Sequence, residues 1–426
     1  MRKIFLSLFL ICFVMTGFIK AQTYNIVIKG GHIIDPKNNI NEVMDIAVKD
    51  GKIALIAKNI NEKEAVQVVN AQGFYVTPGL IDIHVHVYGG TQMDQQYMNG
   101  PNSIPPDGFT FRVGVTTVVD AGCAGWRTFP DFKRQTIDVS QTRVLAFLNI
   151  VGEGMRGGPF EQNIKDMDPK LTAECVQKYS DDIVGIKLAH FSGHDWTPVK
   201  LTAEAGRLTN TPIMVDLGGA TPALSFDTLF MQVFSPGDIF SHCFGQLGAS
   251  RESLVDVKTG QVRPVTLEAR KRGITFDVGY GGISLAYSQA IPAIKNGFYP
   301  DAISTDLHIG SMNGAMKDMI TTMSKFLAMG MDLQSVINAS TWRPAQIIKR
   351  EELGHLTVGS EADIAILNMR KGKFGLFDYT GHKLETDRKL ECEMTIRAGR
   401  IVYDLNGIAN PVIAPRNRVA YNVGKR

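Results

Sequence analysis

Cysteine is scarce in this chain of 426 residues: there are five, and no two form a C-x-x-C pair. That spacing excludes a cysteine zinc site, and so few scattered thiols read as small core hydrophobes rather than a disulfide frame. No G-x-G-x-x-G follows a strand pattern, which counts against a dinucleotide fold. An excess of one charge is missing too, with 45 Lys+Arg against 42 Asp+Glu. This excludes nucleic acid and anionic membrane as electrostatic partners. No internal repeat is evident. The sole long apolar run, residues 4–18, follows Arg2 and Lys3 and leads to a small-residue junction at Ala21-Gln22. It is short for a bilayer span, so no stable membrane anchor is expected; the pattern is that of a signal peptide over 1–21, removed on export to the periplasm or medium. Without it Lys+Arg falls from 45 to 42 and the mature chain is formally neutral.

What is present is globular: 44% apolar and 20% charged residues, with 42 Gly and 18 Pro. Short β-branched runs separated by turn residues fill 22–77, including a hairpin signal at Asp50-Gly51. The same texture returns over 351–406. Both ends are therefore expected to build one small β-sandwich domain. Between 78 and 350, buried-type strand runs alternate with helical stretches, at 80–86, 116–120, 143–149, 183–188, 213–217, 239–243, 275–278 and 302–306. Eight such units match a (β/α)8 TIM barrel, with an open doubly wound sheet as the alternative. Residues 407–426 read as an extended tail. The methionines at 312, 316, 319 and 323 have helical spacing and read as core packing.

The chemistry concentrates at strand ends. In Pro78-Gly79-Leu80-Ile81-Asp82-Ile83-His84-Val85-His86, residues two apart face one side, so His84 and His86 make half of a site for a first-row metal. Lys187 ends the fourth strand. Its neutral amine could capture carbon dioxide as a carbamate able to bridge two cations; otherwise it is a strand-end lysine reaching solvent. His242 ends the sixth strand and Asp306 the eighth. Four strand ends thus present ligand-type side chains to one rim, the C-terminal end where barrel enzymes keep their sites.

This pattern resembles the amidohydrolase superfamily. Residues 114–122 (Gly-Val-Thr-Thr-Val-Val-Asp-Ala-Gly), and Ser241-His242-Cys243-Phe244 after Pro236-Gly237-Asp238, are similar more narrowly to its dihydroorotase-like deacetylase group. The resemblance implies two divalent metal ions, most often zinc, sharing an activated water and a carbamate on Lys187. One metal would take His84, His86 and Asp306, and Asp306 would also be the catalytic proton carrier. The second would take His242 and a histidine of strand five. Here that position is Asp216, which can ligate through oxygen, act as a hydrogen-bonding group, or leave the second site weak; His190 or His194 could then substitute.

Arg156, in the glycine-rich third loop, is a candidate for a substrate carboxylate by its fork geometry, or else an ordinary surface ion pair. His190 and His308 are further substrate-side candidates, and Tyr88, Trp126 and Ser311 are candidate pocket residues. The expected activity is metal-dependent hydrolysis of a C–N amide bond in a small molecule, an N-acyl amino acid or a cyclic amide. An ester or lactone hydrolase and a non-catalytic ligand-binding barrel are the alternatives. A homo-oligomer is compatible with the sequence.

Overall fold

The computed structural model describes residues 22–90 and 102–411. The expected leader at 1–21 and most of the tail lie outside the described residues.

The N-terminal segment supplies five strands: β1 (Tyr24–Asp35), β2 (Ile40–Lys49), β3 (Lys52–Ala57), β4 (Ala65–Asn70) and β5 (Tyr75–Pro78). Asp50 and Gly51 close the β2–β3 hairpin with positive φ, as the dipeptide foretells. Seven further strands follow: β6 (Leu80–Val85), β7 (Val115–Gly125), β8 (Arg143–Asn149), β9 (Ile183–Phe191), β10 (Ile213–Leu217), β11 (Ile239–Phe240) and β12 (Thr275–Phe276). The C-terminal part adds β13 (Ile364–Phe377), β14 (Lys383–Arg397), β15 (Arg400–Asp404) and β16 (Ala409–Asn410).

Strands β6 to β12 form one parallel sheet in chain order. β6, β7 and β10 are buried at every position, as expected of strands covered on both faces. Between them run helices with ordinary end signals. Asp168 caps Pro169–Lys178 by accepting from Lys170 N and Leu171 N, and Asn210 ends Thr197–Thr209 in the left-handed conformation. Ile81 and Ile83 of β6 share one buried cluster with Val119, Leu145, Phe147, Met214, Ile239 and Ala302. A flat sheet would keep its first strand far from β11, so the sheet is curled.

The segment expected as an eighth strand, 302–306, is not a regular strand. It bridges in parallel at Ala302 to Asp277, and just beyond its end Leu307 bridges to Val85 of β6. Side chains take over the ladder's work there. Asp82 accepts from Thr305 N and Thr305 Oγ1, and Ser304 Oγ accepts from Gly279 N. Asp306 then turns to φ 49°, which ends any extended run. Main-chain bonds from Val278 N to Ala302 O (3.0 Å) and from His86 N to Leu307 O (2.9 Å) flank the segment on both sides.

The other strands form a single nine-stranded sheet built from both ends of the described chain. It forks at β1, whose first half pairs with β4 and whose second half pairs with β5 across an irregularity at Ile28/Gly31. Inward residues of β1–β5, β13, β14 and β16 meet in one core, including Ile26, Ile46, Ile53, Val69, Val76, Ile364, Met394 and Ala409. The β13–β14 hairpin reaches the parallel sheet. Tyr280 Oη donates to Phe377 O (2.9 Å), and Tyr287 N donates to Asp378 (2.8 Å). The loop following β12 is thereby pinned beside the strand ends.

Candidate metal centre

His84 lies near the end of β6 and His86 just past it, and both are buried. His86 Nε2 stands 2.8 Å from Asp306 Oδ1, and His84 Nε2 is 3.7 Å from the same oxygen. Lys187, in β9 and 1% exposed, places Nζ 3.4 Å from His84 Nε2. Burial pulls the ammonium of Lys187 below its ordinary range, against the opposing charges of Asp216, Asp306 and Asp277. A neutral amine is the form that can take up carbon dioxide.

His242 follows β11 and turns its Nε2 to within 3.3 Å of Asp216 Oδ2, at the end of β10. Its Nδ1 donates to Gly279 O at 2.6 Å, so the Nε2 lone pair is the side that faces the cluster. His190, near the end of β9, has Nε2 3.6 Å from Asp216 Oδ2.

The ligand atoms of His84, His242 and Asp306 all lie within 4.8 Å of one another, and all three residues are buried. Two imidazoles and a carboxylate at that spacing suit zinc or a similar first-row ion. Their supports fit the same purpose: Ser241 and Asp277 hold His84, and Cys123, backed by Asp120, stands 3.2 Å from His86 Nδ1. Backbone strain also collects here. His190, His242 and Asp306 have φ of 53°, 59° and 49°. Non-glycine residues seldom hold this conformation unless their surroundings enforce it, and each such turn aims a side chain at the cluster.

Burial pushes the carboxyl of Asp306 upward, but the hydrogen bond and charge of His86, with His242 and His308, leave it below the usual range. Asp216 is likewise buried, and the charge and hydrogen bond of His242, with His190 and Lys187, hold it down. Asp277 moves the other way. Burial pushes it up to about 6 despite hydrogen bonds from Ser304 and Ser241.

Not every expected residue joins the cluster. Arg156 faces Glu153 at 3.4 Å and covers the ring of Phe160. This contact is the ion-pair alternative. Tyr88 is fully buried and packs against Phe132 at 5.0 Å. Trp126 lies under the guanidinium of Arg127 at 4.0 Å. His194 is exposed and donates to Pro222 O. His308 does sit beside His86, with ring centroids 6.3 Å apart, and Ser311 donates to the main-chain oxygen of Asp306.

Several residues in the site escaped sequence reasoning. Asp277 and Ser304 belong to it, Ser241 was read only as part of the motif around His242, and Asp277 carried a signal, since it too lies at the end of a short strand run. Glu161, whose Oε1 is 3.0 Å from His190 Nδ1, comes from a short helix in the third loop and carried none. A cavity of about 460 Å³ lined by Arg207, Asp238, Arg343 and Lys349 lies where β10 and β12 begin, at the opposite end of the sheet, and holds no such cluster.

Comparison with known proteins places the chain in a family. The profile of the Amidohydrolase family matches residues 284–402. A deacetylase of Brucella anthropi is 36% identical over 356 residues, covering 82% of this chain and 85% of that protein. The crystal structure of an adenine deaminase superposes with a TM-score of 0.79 at 28% identity, covering 89% of this chain and all of that one. A dihydroorotase structure gives a TM-score of 0.77 at 30% identity, covering 89% and 99%. With the strand-end cluster in place and a relative this similar over most of its length, the chain belongs to the amidohydrolase family, as a dihydroorotase-like member.

Proposed function

We propose that this amidohydrolase cleaves the C–N amide bond of a small molecule, in the class of N-acyl amino acids and cyclic amides. The observation that carries the reading is the convergence of His84 and His86 from the end of β6, Lys187 from β9, His242 after β11 and Asp306 from the segment beyond β12 on one cluster. The deacetylase relative and the dihydroorotase neighbour support the two substrate kinds. We take the curled sheet, with 301–307 between β12 and β6, as a closed (β/α)8 barrel. His84, His86 and Asp306 would hold one divalent ion, zinc by the two-imidazole and carboxylate donor set, and His242 a second, with a carbamate on Lys187 between them. When bound, such ions acidify a water molecule and polarise the scissile carbonyl.

The chain's own groups do the rest. Asp306 is braced by His86 and by Ser311, so its carboxylate is fixed where it can take a proton and return it to the leaving nitrogen. Burial notwithstanding, His86, His242 and His308 hold it in the carboxylate form, the form that can take a proton. His84 and His86 cannot wander, because each imidazole is held from behind by Ser241 or Cys123. Preorganisation of this kind lowers the barrier without rearrangement during reaction.

For location, we propose export, from the leader pattern in residues 1–21; intact-mass measurement of secreted protein beginning at Gln22 tests it. The activity is tested by measuring metal content per chain on protein purified without chelators, then turnover of N-acetyl amino acids, cyclic amides and matched esters. About two equivalents with amide turnover is the expected result. Metal-free protein that takes up none on reconstitution would return the chain to the ligand-binding class.

A further inference from the structure

We propose that the imidazole absent from β10 is supplied from the end of β9. His190 is a ligand of the second cation through Nε2, beside His242 and Asp216, and Glu161 is the positioning residue that aims it. This rests on the two-metal reading above and names a donor that reading leaves open.

The argument begins with proton counting. His242 Nδ1 donates to Gly279 O, and His190 Nδ1 donates to Glu161 Oε1, since a carbonyl and a carboxylate only accept. In the neutral imidazole each Nε2 is then a lone pair. Both lone pairs face the same carboxylate oxygen, Asp216 Oδ2, from 3.3 Å and 3.6 Å. Three acceptors around one point repel unless a positive charge lies among them, either a cation or a proton on His190, where burial is outweighed by Glu161 and Asp216, which raise the pKa.

The distances favour a metal over a proton. A separation of 3.6 Å is too long for a useful hydrogen bond. Two donors bound to one first-row cation at about 2.0–2.2 Å in tetrahedral geometry stand about 3.4 Å apart, close to the 3.3 Å and 3.6 Å that separate Asp216 Oδ2 from the two imidazole nitrogens. The Glu161–His190 contact is the carboxylate–histidine arrangement that orients metal-binding imidazoles. Glu161 is 3% exposed, so the carboxylate is sequestered for this partner.

The backbone is shaped to the same end. His190 holds φ 53°, which reverses its side chain toward Asp216. Gly218, just after β10, permits the close approach: a Cβ there would come within 2.8 Å of His190 Cα. The exchange therefore reads as a swap, with histidine moved from strand five to the end of strand four and a carboxylate left in its former place.

The test uses the mature holoprotein, with zinc and cobalt(II) content, chelator competition and the cobalt absorption spectrum as readouts. Wild type is expected to hold about two equivalents and His190→Ala about one, with the second cobalt band lost. Glu161→Gln is expected to weaken the second ion by about 10–100-fold in chelator competition. The double variant His190→Ala/Asp216→His, which returns the imidazole to β10, is expected to regain the second ion. An unchanged second affinity and spectrum in both His190→Ala and Glu161→Gln overturns the proposal, and reassigns His190 to substrate binding. Should His190→Ala fail to fold, an unchanged affinity in Glu161→Gln is sufficient to overturn it. One equivalent in wild type, unaltered by either variant, overturns this inference and leaves the hydrolase reading standing. No metal in wild type overturns both.

Discussion

His84 and Asp277 are joined through a single hydroxyl, that of Ser241, which donates to Asp277 Oδ2 at 2.7 Å and stands 2.8 Å from His84 Nδ1. Because the hydroxyl proton is committed to Asp277, Ser241 accepts from His84 Nδ1–H. That fixes the tautomer and leaves Nε2 as the basic atom facing Lys187 and Asp306. Ser241→Ala strands a buried donor, at a cost of about 1–3 kcal/mol, and releases the ring. We expect a lower melting temperature and roughly 10–100-fold weaker metal retention in chelator competition. Unchanged retention would show that His84 is held by packing alone.

Asp306 combines two properties that substitution can separate, a ligand oxygen and a titratable proton carrier. Asn keeps the shape and one oxygen but cannot shuttle a proton. Asp306→Asn is therefore expected to bind metal nearly as well as wild type and to lose about 10²–10⁴-fold in kcat on an amide substrate. Metal content and steady-state rates on the same preparation decide it. Full activity in this variant would sink the assignment of Asp306 as proton carrier.

Gly281 and Gly282 are adjacent but differ in what surrounds them. A Cβ on Gly281 would lie 2.0 Å from Asp306 Oδ2, and its φ is 51°; around Gly282 nothing lies within 4 Å. Gly281→Ala should displace the carboxylate and add backbone strain of about 1–3 kcal/mol. We expect activity to fall by at least about tenfold, in keeping with the sensitivity of catalysis to small misplacements, while Gly282→Ala stays near wild type. Equal behaviour of the two variants would remove the loop after β12 from the account of the site.

Much of this arrangement was legible because buried strands and metal ligands leave local marks. β8 and β10 run over the residues that their apolar runs indicate, and the alternation around His84 and His86 places both imidazoles on one side. The end of the sheet was harder. Residues 302–306 look like the other strands, yet Asp82, Ser304 and Thr305 use side chains where a ladder would use main chain. The long β13–β14 hairpin was visible only at its buried base, since the exposed stretch from Arg370 to Lys373 breaks the apolar run. Glu161 illustrates the other limit: its partner His190 is 29 positions away, and no pattern in a loop announces such a pairing.

Lys325 offers a test of the pinned loop that does not depend on activity. Its side chain is fully buried and donates to Tyr280 Oη at 2.9 Å and to Ala315 O at 2.6 Å. Burial lowers its pKa from 10.5 to about 7, with Asp318 opposing. Between those values the unfolded chain carries a proton that the folded chain does not, so this group makes folding more favourable as pH rises from 7 toward 10.5. Below pH 7 both states are protonated and the handicap of a buried charge is constant. Lys325→Met has no such titration. The stability of wild type relative to Lys325→Met should therefore rise by a few kcal/mol between pH 7 and pH 10, as measured by paired unfolding curves at pH 7, 8.5 and 10. Other titrating groups cancel in the difference, so a gap that stays constant across the three would mean that Lys325 keeps its charge in the folded protein. Its bond to Tyr280 would then be that of an ammonium bracing the loop beside Asp306.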